Sequence, residues 1–179
     1  MLLANEKDSA YALARSVFGN TASAVKKMNE VTMDICGTDP TFGDIYGEIS
    51  GSFLITDLAK LIDAMLAEPL LNKIWHAASY TVPTTQELVP SRNALLPENP
   101  LGRTHVTPDS RVTGGLTSVS GDYADMAVTA EYKGKRVLCI LTGALRITHP
   151  YGDDPNSFSV VDYWGNYEET EKLLNIAFG

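Results

Sequence analysis

Residues 123–141 constrain this chain more than any other stretch, because they spell a β-hairpin with one dry face. On the first arm Met126, Val128, Ala130 and Tyr132 alternate with Asp125, Ala127, Thr129 and Glu131, the period of two that a half-buried strand requires. Lys133-Gly134-Lys135 supplies a turn, and residues 136–141 form the return arm. A type I′ turn on Lys133-Gly134 sets Val128 opposite Cys139 and Ala130 opposite Val137. A type II′ turn on Gly134-Lys135 sets Val128 opposite Leu141 and Ala130 opposite Cys139. Both registers leave Met126, Val128 and Ala130 on one face with Val137, Cys139 and Leu141. The return arm is apolar on both faces, the mark of an interior strand with helices packed on one side. Cys139 is therefore expected in the core and not as a nucleophile.

The first part of the chain has a different period. Ala10, Leu13, Ala14, Val17 and Phe18 form a helical stripe, ended by Gly19-Asn20. Thr21 then caps a second helix carrying Val25, Met28, Val31 and Ile35, closed by Gly37. A compact loop follows to Gly51. Ser52 or Thr56 starts a third helix with Leu58, Leu61, Ile62, Met65 and Leu66 on one face, and Pro69 opens a fourth bearing Leu70, Leu71, Ile74, Trp75 and Ala78. Pro83, Pro90, Pro97, Pro100 and Pro108 then crowd residues 80–110, which read as a long extended connection with one short strand. A loop of that length inside a compact domain is often functional. Gly114-Gly115 in the next strand marks a bulge or a close backbone approach. Residues 112–119, the two hairpin arms and 158–164 supply about four strands. Gly165-Asn166 leads into a last helix with Leu173, Leu174, Ala177 and Phe178 on one side.

The expected fold is α+β: N-terminal helices packed on a C-terminal antiparallel β-meander of about four strands, with a short terminal helix. One domain over 1–179 is expected, mainly helical over 1–79, extended over 80–110, and sheet plus helix over 111–179.

Charge and composition exclude several functions. The net charge is −8, and the 14 basic residues are scattered, with only Lys26-Lys27 and Lys133/Lys135/Arg136 clustered. Direct nucleic-acid binding needs a basic footprint and is not expected. The first residues lack the apolar core of a signal peptide, and nothing approaches the ~20 apolar residues of a membrane span. The two cysteines, Cys36 and Cys139, read as reduced core thiols. A cytoplasmic protein is the expectation.

No catalytic set assembles in the sequence. Of the three histidines, His76 follows Trp75 on a helix and reads as a partly buried packing residue, while His105 and His149 lie in loops. Asp153 and Asp154 would add oxygen ligands to these loop histidines, but no metal-binding spacing supports a centre, and neither metal nor cofactor is expected. The order Thr117-Ser118-Val119-Ser120, then the hairpin, then Glu169-Thr170-Glu171 resembles the Arg…Ser-Thr-Ser…Glu-x-Glu order of arginine-specific ADP-ribosyltransferases. That resemblance spans the last third of the chain and implies a transferase, with Arg103 and Arg111 as loose substitutes for the family's upstream arginine. Read from the residues themselves, Glu169 and Glu171 precede an apolar helical stripe and favour the helix dipole as solvated first-turn acids.

The leading expectation is a non-enzymatic, acidic, cytosolic module that binds another protein, as an inhibitor, immunity or anti-defence factor does. A partner with a basic surface suits the charge. Binding residues concentrate on loops held by a rigid scaffold, so Tyr80, Arg92, Arg103, His105, His149, Tyr151 and Trp164 are the candidate contacts. The alternative is a small-molecule binder or enzyme using a pocket between sheet and helices, lined by Tyr123, Tyr163, His149 and Asp162.

Overall fold

The computed structural model describes residues 3, 6–39, 41–49, 53–101, 106–150 and 160–179, with the backbone alone for 146–150 and 160–164. The chain divides into two compact units, Met1–Trp75 and His76–Gly179.

The first unit is helical: α1 (Lys7–Phe18), α2 (Thr21–Cys36), α3 (Ile55–Ala67) and α4 (Pro69–Trp75). Asn20, and not Thr21, caps α2. Its side chain accepts the Ser23 N–H at 2.8 Å, and asparagine is among the best N-caps because its short amide reaches an otherwise orphaned donor. Gly37 closes α2 in the left-handed conformation, its N–H donating to the Met33 carbonyl. Pro69 opens α4, where its missing N–H would have had no helical partner. The α1 stripe covers less than its spacing promises. Ala14 is buried, yet Leu13, Val17 and Phe18 are 50%, 61% and 42% exposed. His76 lies just past the end of α4 and is exposed, so it is not the partly buried helical residue its position beside Trp75 suggests.

The second unit holds a two-stranded antiparallel sheet, β1 (Ser79–Thr81) with β2 (Leu88–Pro90). Its larger sheet is a meander in the order β3 (Val112–Ser120), β4 (Tyr123–Tyr132), β5 (Lys135–Pro150), β6 (Val160–Trp164), followed by α5 (Asn166–Phe178). The α+β class holds, with four strands and a terminal helix. The β4–β5 turn takes the I′ form, with φ of 49° at Lys133 and 78° at Gly134. Val128 therefore faces Cys139, Ala130 faces Val137, and Glu131 faces Arg136. Their carboxylate–guanidinium distance of 3.5 Å spans two exposed groups, a pair that adds under ~1 kcal/mol. β5 changes partner along its length, pairing with β4 over residues 135–145 and with β6 over 146–150.

Both bulges in this sheet follow from particular residues. Thr113 is the extra residue where Val112 pairs Ala130 but Gly114 pairs Thr129, and its hydroxyl lies within hydrogen-bond reach of Thr129 Oγ1 (3.0 Å) and the Thr129 carbonyl (3.2 Å). At Gly115, φ is 148° and β4 passes so close that no side chain fits, which bears out both readings of the Gly114-Gly115 pair. The second bulge sets Asp125 alone opposite Thr142-Gly143.

Residues 80–110 are not a plain extended connection. Besides β1 and β2 they contribute Ala94, Leu95 and Leu96, each at most 3% exposed, to a core shared with Val106, Val112, Met126, Val128, Ala130, Tyr167 and Leu174. Side chains satisfy the backbone of this turn in place of a ladder. Asn99 Nδ2 donates to the Ser91 and Asn93 carbonyls at 2.8 and 2.7 Å, and Asn93 Oδ1 accepts the Leu95 N–H. On α5 the buried positions are Asn166, Tyr167, Thr170 and Leu174, while Leu173, expected inside, is 38% exposed.

Candidate functional site

An open cleft of about 970 Å³ lies in the helical unit. The outer face of α2 forms one wall, through Val25, Asn29, Met33 and the charged Lys26, Glu30 and Asp34. The loop after α2 forms the other through Asp39, Asp44, Ile45 and Tyr46, and Tyr11 of α1 lies at its edge. The loop holds its shape through α2. Asn29 Oδ1 accepts the Phe42 N–H at 2.8 Å and Asn29 Nδ2 donates to the Phe42 carbonyl at 3.3 Å, the two-bond clamp of a β-ladder made by one amide. Asp44 Oδ1 accepts the N–H groups of Tyr46 (2.8 Å) and Glu48 (2.9 Å), and Asp39 Oδ1 accepts that of Thr41.

Four carboxylates line the cleft against one ammonium, Lys26. Lys26 and Lys27 both lie near Glu30, at 3.9 and 3.5 Å. The two tyrosines already carry cations of α1. Lys7 Nζ sits 5.2 Å from the Tyr46 ring centre, and the Arg15 guanidinium 5.7 Å from that of Tyr11. Such ring faces attract cations through their quadrupole. The lining thus carries four carboxylates and one ammonium beside the apolar Val25, Met33 and Ile45, while cations of α1 already cover its two tyrosine rings.

A second polar cluster in the same unit is fully employed in holding helices. Asp57, buried in the first turn of α3, accepts from Lys60 Nζ at 2.7 Å and from Thr38 Oγ1 at 2.9 Å. Those bonds, from Lys60 first and Thr38 second, hold its carboxyl below the usual aspartate range against the opposing effect of burial. Cys36 donates to the Asp57 carbonyl, and burial first, then the Asp57 charge, push its thiol up. A thiol so placed is a poor nucleophile.

In the sheet unit, Asp125 gathers donors around its bulge. Its carboxylate accepts Ser118 Oγ and the Gly143 N–H, both at 2.9 Å, while its carbonyl accepts Thr117 Oγ1 at 2.8 Å and Asn166 Nδ2 at 3.2 Å. Near the start of β3, Arg111 grips Asp109 through two nitrogens, with Nη2–Oδ2 at 2.6 Å, and its guanidinium lies over the Phe178 ring. Burial raises the Asp109 carboxyl, but the Arg111 side chain and N–H overcome it and leave the group below its ordinary value.

Tyr80, Arg92, His149 and Trp164 all belong to the second unit, and none lines the cleft. Tyr80 is exposed on β1, and Arg92 is exposed in the turn after β2, where its carbonyl accepts Tyr167 Oη at 2.8 Å. His149 pairs Val161 across β5–β6 and Trp164 pairs Arg146. Arg103, His105 and Tyr151 lie outside the described residues, as do Asp153 and Asp154. Of the alternative pocket set, Tyr163 pairs Ile147, Asp162 pairs Thr148, and Tyr123 is exposed at the start of β4. Glu169 and Glu171 lie exposed on α5, Glu169 bonded to Lys172 at 2.7 Å, and Ser118 is held by Asp125 on β3. Sequence reasoning missed the cleft. Its one visible signal was the spacing of Asp39, Asp44 and Tyr46 in a glycine-rich loop after an acidic helix end. No protein-family model matches the chain, and no curated protein matches it at a significant level.

Proposed function

We propose that this is a non-enzymatic protein-binding module, an inhibitor or immunity-type factor of the cytosol, whose helical unit takes a basic segment of its partner. The observation that carries the reading is the cleft of about 970 Å³, where the carboxylates of Glu30, Asp34, Asp39 and Asp44 stand beside the apolar Val25, Met33 and Ile45. A lysine or arginine chain fits such a surface twice over, its stem on Val25, Met33 and Ile45 and its head among the carboxylates. The net charge of −8 steers a basic partner toward it.

The test is titration of the full chain with a short arginine- and lysine-containing peptide at low salt, by fluorescence anisotropy. Neutralising Asp34, Asp39 and Asp44 to asparagine is expected to weaken binding at least tenfold. A control that neutralises Asp122, Glu168 and Glu171, and so has the same net charge, is expected to bind within about twofold of the native chain. Equal losses in the two variants would show that only overall charge acts and would overturn the assignment to the cleft.

A further inference from the structure

Among the described residues of the sheet unit, Asn166 Oδ1 and Thr170 Oγ1 are buried without a hydrogen-bond partner. Both residues are fully buried. They stand four apart on α5, one above the other on the same face, with Cβ atoms about 5–6 Å apart. The orientation of the Asn166 amide is decided by its neighbours. Its nitrogen lies 3.2 Å from the Asp125 carbonyl, which only accepts, and 2.9 Å from Thr117 Oγ1, whose own hydrogen goes to that same carbonyl. Turning the amide over would set oxygen against oxygen. Asn166 Oδ1 therefore requires a donor from elsewhere, and the Thr170 hydroxyl requires at least one partner.

We propose that one water molecule is bound between Asn166 Oδ1 and Thr170 Oγ1, donating one hydrogen to each oxygen. A water making two bonds of about 2.8 Å bridges oxygens roughly 4.5 Å apart, a spacing open to side chains that stand one helical turn apart. Buried polar pairs of this kind are where internal water is held, and each such water serves two to four groups. The water extends a polar path that runs through Asn166 and Thr117 to Asp125, and on to Ser118 and the Gly143 amide at the bulge. Asn166 Nδ2 already ties the first turn of α5 to β3 and β4, and the water completes that junction by pairing Asn166 Oδ1 and Thr170 Oγ1.

Thr170→Val keeps the shape and removes the hydroxyl. Valine takes away one of the two groups that hold the water, so the water either stays with a hydrogen unpaired or leaves Asn166 Oδ1 orphaned, and the urea midpoint is expected to fall by about 0.5 M. Thr170→Ser is expected to stay near the native midpoint. A dry site predicts the reverse for valine, because an orphaned hydroxyl is deleted, so a midpoint equal to or above that of the native chain overturns the proposal. Water-to-protein nuclear Overhauser spectra of the labelled native chain give a readout that does not depend on any variant folding. A persistent water contact at the Asn166 side-chain amide and the Thr170 methyl is expected, and its absence also overturns the proposal.

Discussion

One methyl group at Gly115 probes the closest approach in the sheet. A Cβ there falls against the Ala127 carbonyl oxygen, 2.7 Å from Val128 Cγ1 and 2.9 Å from Val128 Cα. Two of these three neighbours are backbone of β4, which is hydrogen-bonded to β3 and cannot step back without breaking the ladder. Val128 itself is fully buried, so its side chain has no free volume to enter. Gly115→Ala thus carries about 1–3 kcal/mol of overpacking. A non-glycine residue held outside the usual φ range adds roughly 1–3 kcal/mol more. A total near ~4 kcal/mol is a large part of the roughly 5–15 kcal/mol that holds a domain folded. The urea midpoint of the sheet, followed by circular dichroism, is expected to drop by about 2 M. Gly121→Ala is the matched control. Gly121 also has positive φ, 58°, but a Cβ there meets nothing within 4 Å, so only the backbone term of ~1–2 kcal/mol applies. If Gly115→Ala shifts the midpoint no further than Gly121→Ala, the close passage of β4 at Gly115 is refuted.

Arg111→Met is expected to destabilise the sheet unit by about 3 kcal/mol, because it leaves the mostly buried Asp109 carboxylate without its bidentate partner. The same variant should raise the Asp109 pKa, read by carboxyl-carbon chemical shift, and an unchanged titration would refute the pairing. Asp57 has a folded pKa below its unfolded value, so its stabilisation is complete above the ordinary value of about 3.9 and is lost as pH falls through the folded pKa. Asp57→Asn should flatten that acid limb for the helical signal, and an acid limb as steep as in the native chain would refute the linkage. Burial pushes the thiols of Cys36 and Cys139 up, so both should react slowly with Ellman's reagent near pH 8 and fully only in denaturant. Rapid native labelling of Cys139 would contradict its place beside the core.

What was legible in the sequence was whatever local period encodes. The hairpin face survived both turn options because a two-residue loop, slid by one position, changes partners without changing sides, and the I′ form was then selected at Lys133-Gly134. Helix punctuation at Gly19, Gly37 and Pro69 was legible because each residue acts through its own backbone. The core turn of residues 91–99 was not, because its hydrogen bonds come from Ser91, Asn93 and Asn99, polar types that composition assigns to solvent. The buried face of α5 was legible at Leu174 and Phe178 but not at Asn166 and Thr170, inward positions that a search for apolar residues passes over, and Leu173 is exposed instead. The cleft was hidden by a different mechanism. Its carboxylates come from a helix face and a loop that Asn29 joins across 13 residues, and no one-dimensional period reports such a clamp. In this chain apolar period locates strands and helices, whereas asparagine side chains decide how non-periodic backbone is folded against them, at Asn29, Asn93, Asn99 and Asn166 alike. Replacing any of these four amides by leucine keeps the bulk and removes the bonds, so the loss should concentrate in the loop or helix start that the amide serves and leave the strand ladder protected from hydrogen exchange.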